Sequence, residues 1–238
     1  MDHPRSLRKV VIKVLTVSAL VSALTACGYA SGGEAANDDP NAEAAAKLRD
    51  AQLVQFGDAK IVAERSEQGT YARMATIQQT EQLRESADMD KPECLDAANR
   101  WGRLKEVREA PSSLATFLQG EDTIAHMLIA TGEKTAQKVV DTPTPEECSE
   151  YEVRFEEGAT TSYTVEELDI DDVADASRAY TVETEMEKET AVLHSLVYRN
   201  GDNLGITSIL GSKEEGDYEK TLRAFTEAAI EREDRVFP

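Results

Sequence analysis

Two rhythms of apolar residues run along the chain after residue 43. An Ala-rich stretch over residues 44–54 reads as a short helix, and Leu95, Ala98 and Trp101, three apart, fall on one face of a helix over 92–105. A helix over 133–140 stops before Thr142-Pro143. Tyr218, Leu222, Phe225 and Ala229 recur at the spacing of an amphipathic helix that closes the chain. Elsewhere the apolar positions alternate, in company with Val, Thr and Tyr, which suit a pleated, half-buried surface. This pattern places strands at 70–78, 114–118, 123–131, 151–155, 160–165, 179–185, 190–199 and 204–210. Gly120-Glu121-Asp122 and Glu156-Glu157-Gly158 read as turns, and Asn200-Gly201 is the strongest hairpin signal in the chain. The expected fold class is α+β: a single domain with an antiparallel β-sheet of about six strands flanked by α-helices.

The first thirty residues follow another logic. Arg5, Arg8, Lys9 and Lys13 make a basic start, and the apolar run from Val14 to Ala26 carries no charge. It falls short of the ~20 apolar residues that span a bilayer core. A basic n-region, a short apolar stretch and small residues before a cut describe a signal peptide. The segment ends Leu24-Thr25-Ala26-Cys27-Gly28, which resembles the lipobox of bacterial lipoproteins at all four positions. The resemblance implies removal of residues 1–26, a diacylglyceryl thioether on Cys27, and a partner in the form of the membrane itself. Each buried methylene contributes about 0.8 kcal/mol, so two or three acyl chains anchor a protein stably. The alternatives are an ordinary secreted protein in which a cysteine happens to follow the cut, and a retained single-pass anchor, against which the short run argues. The expected location is the extracytoplasmic face of the cell membrane.

Residues 27–42 are mostly Gly, Ser, Ala, Asn and Asp, with Tyr29 as the one large apolar side chain. Such a segment buries too little surface to offset its chain entropy and reads as a flexible tether. The domain expected over 43–238 is long enough to build a core of its own. Formal charge is −20 for the whole chain. Without residues 1–26, which hold four basic and one acidic residue, 22 Lys+Arg face 45 Asp+Glu, a balance of −23. A surface this acidic repels nucleic acid and anionic headgroups, and no nucleic-acid partner is expected. For the most part it reads as a solubility trait.

With Cys27 acylated, two thiols remain, Cys94 and Cys148. Outside the membrane disulfides persist, and the simplest arrangement is a bond between these two. Both follow a Pro-Glu start, Pro92-Glu93-Cys94 and Pro145-Glu146-Glu147-Cys148; in the second, Thr144 suits an N-cap, Pro145 the first helical position and Glu147 the third, a capping box. Two cysteines and scattered histidines lack the spacing of a zinc site, and a redox pair would want the cysteines two residues apart.

Candidate chemistry is sparse. The mature chain holds two histidines, His126 and His194, both inside expected strands, where a structural role is the better reading. No Gly-x-Ser-x-Gly elbow, phosphate-binding Gly loop or His-Glu-x-x-His occurs. Asp169, Asp171, Asp172 and Asp175 form the densest acidic cluster, but the central Gly of a calcium loop is missing, so a solvated loop is expected. Trp101 with Tyr and Phe residues can line a ligand cleft, though aromatics on helix faces more often belong to the core. No catalytic, cofactor-binding or metal-binding residue is assigned, and no cofactor is expected.

The Pro-Glu-Cys pair, Ala110-Pro111-Ser112-Ser113-Leu114-Ala115 leading into a strand, the Ser195-Leu196-Val197-Tyr198-Arg199-Asn200-Gly201 hairpin and the closing helix together resemble the PknH-like extracellular sensor domains. That group occurs as the outer part of actinobacterial receptor kinases and as free-standing lipoproteins. The resemblance is one of layout and spans roughly residues 44–236. It implies an antiparallel sheet flanked by helices, with a cleft for an unidentified ligand. Its kinase-linked members carry two intradomain disulfides, where this chain can make one. The PsbP-like fold, also an antiparallel sheet with flanking helices, is the alternative. The expected function is therefore a non-catalytic, membrane-tethered binding or sensor-like domain. The alternatives are an accessory envelope lipoprotein that contacts other proteins, and a hydrolase, which would need His126 or His194 exposed beside a Ser or Asp in a pocket. An apolar-lined cleft of several hundred cubic ångströms would favour the first; a flat exposed apolar patch would favour the second.

Overall fold

The computed structural model describes residues 38–85, 87–94, 96–154, 160–186, 189–211 and 217–237, all within one compact unit that runs from Glu34 to Pro238. The lipobox with Cys27, the side chain of Leu95 and the 156–158 turn lie outside the described residues.

The centre of the unit is one antiparallel sheet. Its middle consists of β5 (Pro111–Gln119), β6 (Asp122–Ala130), β11 (Asn203–Gly211), β10 (Glu189–Asn200), β9 (Ala176–Met186) and β8 (Thr160–Leu168), hydrogen-bonded in that order. One edge is completed by β1 (Gln55–Phe56), β2 (Ala59–Ile61) and β3 (Glu67–Thr70), with β2 and β3 both pairing along β5; the other edge is β7 (Glu150–Arg154) and β4 (Asp88–Met89). The sheet has eleven strands rather than about six. The surplus is mostly at the edges, where strands of two to four residues are too short to show a period. In the middle, the expected strands are present; β6 is shifted by one residue at equal length, and the others are longer than their apolar patterns. The β10–β11 hairpin sits one residue further on than Asn200-Gly201: Asn200 pairs with Asn203, and Gly201 supplies the left-handed backbone at φ 57°.

Strand alternation sends side chains to two faces, and each face has a different cover. On the first lie α5 (Tyr218–Val236), packed over Ala115, Phe117, Ile124, Leu196, Tyr198 and Ile209, and α1 (Ala42–Ala51), whose Leu48 and Ala51 pack on Leu128. Leu222, Phe225 and Ala229 of α5 are fully buried, as the helical spacing predicts. Asp217 caps α5 by accepting from the Lys220 amide at 3.3 Å. α1 ends at Ala51, three residues before the expected end, because Gln52 turns away to bond the sheet. Ahead of α1, the carboxylate of Asp39 accepts from the amide and hydroxyl of Thr70, and the Asn41 side chain donates to Thr70 and to the Glu109 carbonyl. Residues 38–42 thus start the domain's contacts inside the segment expected to be tether.

The second face is covered by shorter pieces: α4 (Glu133–Val140), α2 (Ala75–Glu85), α3 (Lys105–Arg108) and several single 3-10 turns. Ala136, Val139 and Val140 of α4 pack with Ile129, Val197 and Leu204. Three expectations fail here. Residues 70–78 are not a strand: β3 stops at Thr70, a 3-10 turn follows, and α2 begins at Ala75. The carboxylate of Glu67, eight residues back, accepts from the amides of Ala75 and Thr76 and so caps a run of helix formers. Residues 92–105 are not one helix. Asp96 takes the left-handed conformation at φ 59° and Leu104 is extended, dividing the segment into the 3-10 turns Pro92–Cys94 and Ala97–Arg103, followed by α3. The capping box at Thr144 does not form either: Pro145 is extended, only the 3-10 turn Glu146–Cys148 follows, and the Thr144 amide donates to Glu167.

Cys94 and Cys148 are joined by a disulfide, both sulfurs buried in the core of this second layer with Trp101, Tyr151 and Val153. The bond ties the irregular cover between β4 and α3 to the entry of β7. By the chain-entropy account a loop of this size stabilises by about 4 kcal/mol. Replacing both cysteines by Ala should lower the unfolding free energy in urea by an amount of that order, and an unchanged midpoint would contradict the assignment.

Candidate functional site

Two polar constellations lie in the described residues, one under each layer. Beneath α1 and α5 a chain of side chains crosses the core. Gln52 leaves the end of α1 and donates through Nε2 to the carbonyls of Ser113 and His126, 2.9 and 3.2 Å away. Its Oε1 therefore faces His126 Nδ1, at 2.6 Å, and since a carboxamide oxygen only accepts, Nδ1 carries the proton. Nε2 is then the acceptor, and Tyr198 donates its hydroxyl to it over 2.8 Å. The Tyr198 oxygen also lies 2.5 Å from Oε1 of Glu233, whose Oε2 accepts from Asn200 at 3.3 Å.

Counting protons sets the state of Glu233. Tyr198 has one proton, given to His126, so a full set of bonds requires the carboxyl group of Glu233 to donate. Burial pushes Glu233 up to about 7, with Asp234 beside it adding in the same direction, while hydrogen bonding to its ionised form, by Asn200 and by Tyr198 when that hydroxyl turns to it, works against the shift. Burial holds His126 down at about 3. Below about pH 7 the chain is thus a neutral relay; with Glu233 ionised, the Tyr198 hydroxyl is drawn to the carboxylate instead. Tyr198 fits because its cross-strand partner is Gly205: a Cβ there would meet the tyrosine ring at 2.0 Å. His126 is sealed, stacked on Tyr198 and edge-on to Phe225, which is the structural role expected of it.

His194 is half-buried on β10 and stacks on Tyr218 at 4.7 Å. Burial lowers its pKa while Glu219 acts the other way. It borders a shallow hollow with Glu183, Asp217 and Glu219, whose lining among the described residues also takes in Thr181 and Val192. Three of the four acidic-cluster residues bond to the protein: Asp171 pairs with Arg223 at 3.0 Å, Asp175 accepts from Arg199 and the Gly201 amide at 2.9 and 2.8 Å, and Asp172 accepts from Ser177. Among the described residues no group of three or more His, Cys, Asp or Glu is placed to hold a metal ion.

On the second face the cover leaves a cleft of about 210 Å³. Its floor is the sheet: Leu114 of β5, Ala125 and Met127 of β6, Ile206 and Ser208 of β11. These positions are neighbours by register, Leu114 opposite Met127, Met127 opposite Ile206 and Ala125 opposite Ser208. One wall is α2, with Ile77, Thr80, Glu81 and Arg84; the other is the 3-10 segment with Asn99, Trp101 and Arg103, next to Asp96. Asp96 binds both arginines, Arg84 at 2.5 Å and Arg103 at 3.4 Å, and Glu81 pairs with Arg108. Trp101 is core and cleft wall at once: 8% exposed, tilted against Tyr71 at 6.1 Å, and part of the lining. Composition points to Trp101; Arg84 and Asp96 escape it, because the strand expected at 70–78 hides the start of α2 and leaves 79–85 unassigned, and the left-handed turn at Asp96 leaves no periodic trace. Beyond the cleft the same face continues as Leu118, Thr123, Leu210 and Leu193, paired in that order, with Leu118 and Leu210 39% and 47% exposed.

Fold and site together define an α+β domain with a covered polar relay on one sheet face and an open cleft on the other. No known family matches the chain by sequence profile, and no curated protein matches it. Among solved structures, it is similar to the extracellular domain of PknH from Mycobacterium tuberculosis, at a TM-score of 0.41 and 8% identity, over 61% of this chain and 78% of that one. It is also similar to a putative uncharacterized protein, the Rv0999 ortholog from Mycobacterium smegmatis, at 0.39 and 16%, over 62% and 76%. With both TM-scores below 0.5, neither likeness decides fold or function.

The relay predicts a pH signature. Glu233 binds its proton more tightly in the folded state than in the unfolded one, so its contribution is unchanged below about pH 4.5 and becomes unfavourable as pH rises through about 7. Glu233→Gln keeps a donor toward Tyr198 and cannot ionise. Relative to the wild type it should gain roughly 3 kcal/mol between pH 5 and pH 8 in urea unfolding. A difference that stays constant over that range would contradict the protonated relay.

Proposed function

We propose that this chain is a non-catalytic binding domain, held at the outer face of the cell membrane by lipid on Cys27, whose ligand site is the cleft between α2, the Ala97–Arg103 segment and the sheet. The cleft carries the reading. It combines an aliphatic floor with a few convergent polar groups on its walls, although at about 210 Å³ it is smaller than the several hundred cubic ångströms of a typical small-molecule site. His126 is sealed in the core and lends no support to a hydrolase. The leader with its lipobox supports the tether, and among the described residues no helix is long and apolar enough to cross a membrane.

A second reading, an accessory lipoprotein that docks another protein, draws on the partly exposed row Leu118–Thr123–Leu210–Leu193 beside the cleft.

Cys27→Ser should move the full-length protein from the membrane fraction to the soluble one; a variant that stays membrane-bound would overturn the tether. Native mass spectrometry after incubation with an envelope extract tests the cleft. A small-molecule mass increment is expected on the wild type and not on Ala125→Leu, which fills the cleft floor. No increment on the wild type, or an equal one on the variant, contradicts the binding function.

A further inference from the structure

The relay under the first layer joins two helix ends that also touch each other directly. Gln52 is the C-cap of α1, and Glu233 lies in the last turn of α5. Leu48 and Ala51 of α1 pack with Val236 and Phe237, and Arg232 of α5 donates to the Asp50 carbonyl at 2.7 Å. Between the two ends stand His126 on β6 and Tyr198 on β10, both fully buried.

The side chains form three links: Gln52 to His126, His126 to Tyr198, and Tyr198 to Glu233. Three hydrogens fill them, one each from the imidazole, the phenol and the carboxyl group. Remove one, and a link stays empty whichever tautomer His126 takes. The carboxylate is the strongest acceptor, so it draws the Tyr198 hydroxyl to itself. His126 can then shift its hydrogen to Nε2 to meet the Tyr198 oxygen, which leaves Nδ1 bare opposite Oε1 of Gln52. Gln52 can fill that gap only by turning its amide, which withdraws Nε2 from the carbonyls of Ser113 and His126. His126 and Tyr198 are fixed on central strands, whereas Gln52 caps a ten-residue helix. The misfit collects at Gln52.

The surroundings offer Glu233 no other relief. It is 1% exposed, and among the described residues no cation pairs with it. The ionisable groups around it are His126 from β6, Tyr198 from β10 and Asp234 from its own helix, with Asn200 as a neutral donor. β11 brings no ionisable side chain. The charges of α1 are exposed pairs, Lys47 with Glu43 and Arg49 with Asp50, and Arg232 turns to the α1 backbone.

We infer that the relay is a proton-operated latch: one hydrogen on Glu233 keeps Gln52 seated on the sheet, and its loss frees the end of α1 at the corner it shares with α5. The device goes beyond the binding function and does not depend on it. Coupling of this kind is reciprocal, so the seating of Gln52 also strengthens the hold of Glu233 on its proton.

The full chain, solubilised with its anchor and labelled with 13C and 15N, is titrated by NMR from about pH 5 to about pH 9. The carboxyl carbon of Glu233 and the carboxamide of Gln52 should titrate together, with a shared midpoint at about 7. Above it, the Gln52 carboxamide hydrogens should gain in exchange rate beyond the base-catalysed rise at the exposed Gln68. Glu233→Gln should abolish the Gln52 transition. Gln52→Met should lower the Glu233 midpoint by at least about one pH unit, tenfold in proton affinity, because two links then need only two hydrogens. The latch is overturned by a Gln52 signal that stays flat through the Glu233 transition, or by the absence of any Glu233 transition in this range. It is equally overturned by a Gln52 transition that survives in a folded Glu233→Gln protein, or by an unmoved Glu233 midpoint in a folded Gln52→Met protein. Where neither variant folds, the wild-type titration decides.

Discussion

A sheet of eleven antiparallel strands has two faces to keep from water, and this chain covers them unequally. The long helix α5 and the shorter α1 close the first face almost completely, with Tyr180 and Tyr198 among the largest buried side chains of the two sides. The second face receives α4, a four-residue helix, a helix with no fully buried side chain, and single 3-10 turns. Regular helices present a continuous apolar stripe; broken turns cannot, so they leave gaps where the floor shows through. The cleft is such a gap. Its position follows from where the cover runs out over β5, β6 and β11.

Each layer is fastened by a device that suits it. Under α1 and α5 the relay from Gln52 to Glu233 ties both helices to strands β6 and β10, and every member has its bonds only when the buried carboxyl stays protonated. Low dielectric makes such a chain specific: reversing one link leaves a donor or acceptor unmet. On the other side the disulfide Cys94–Cys148 pins irregular backbone that has little regular hydrogen bonding of its own. The contrast matters for function. A satisfied network rigidifies, whereas α2 buries no side chain completely and is held by its Glu67 cap and two ion pairs.

The sequence made the middle of the sheet, α4, α5 and the disulfide legible, because each carries a period, a turn signal or a count. Val, Thr and Tyr recur through β8 to β10, and Leu222, Phe225 and Ala229 mark the face of α5 without ambiguity. The edges were illegible for a simple reason: β1, β2 and β4 have two or three residues, too few to alternate. α2 was misread because its Thr and Ile suggested a strand, while its real N-terminal signal, Glu67, lies eight residues away and is joined to it only by the fold. The cleft was illegible for the same reason. Arg84, Asp96 and Trp101 come together through a left-handed turn at Asp96 that no pattern announces. The relay, too, joins residues 52, 126, 198 and 233, which nothing in their local surroundings connects.

Native-state hydrogen exchange resolved to single amides tests the unequal cover most directly. The account predicts that amides of α2, Ala75–Glu85, exchange through openings of low free energy, while those of α5 around Phe225 and of β6 and β10 exchange only with global unfolding. Equal protection of α2 and α5 would contradict it, and with it the place given to the cleft.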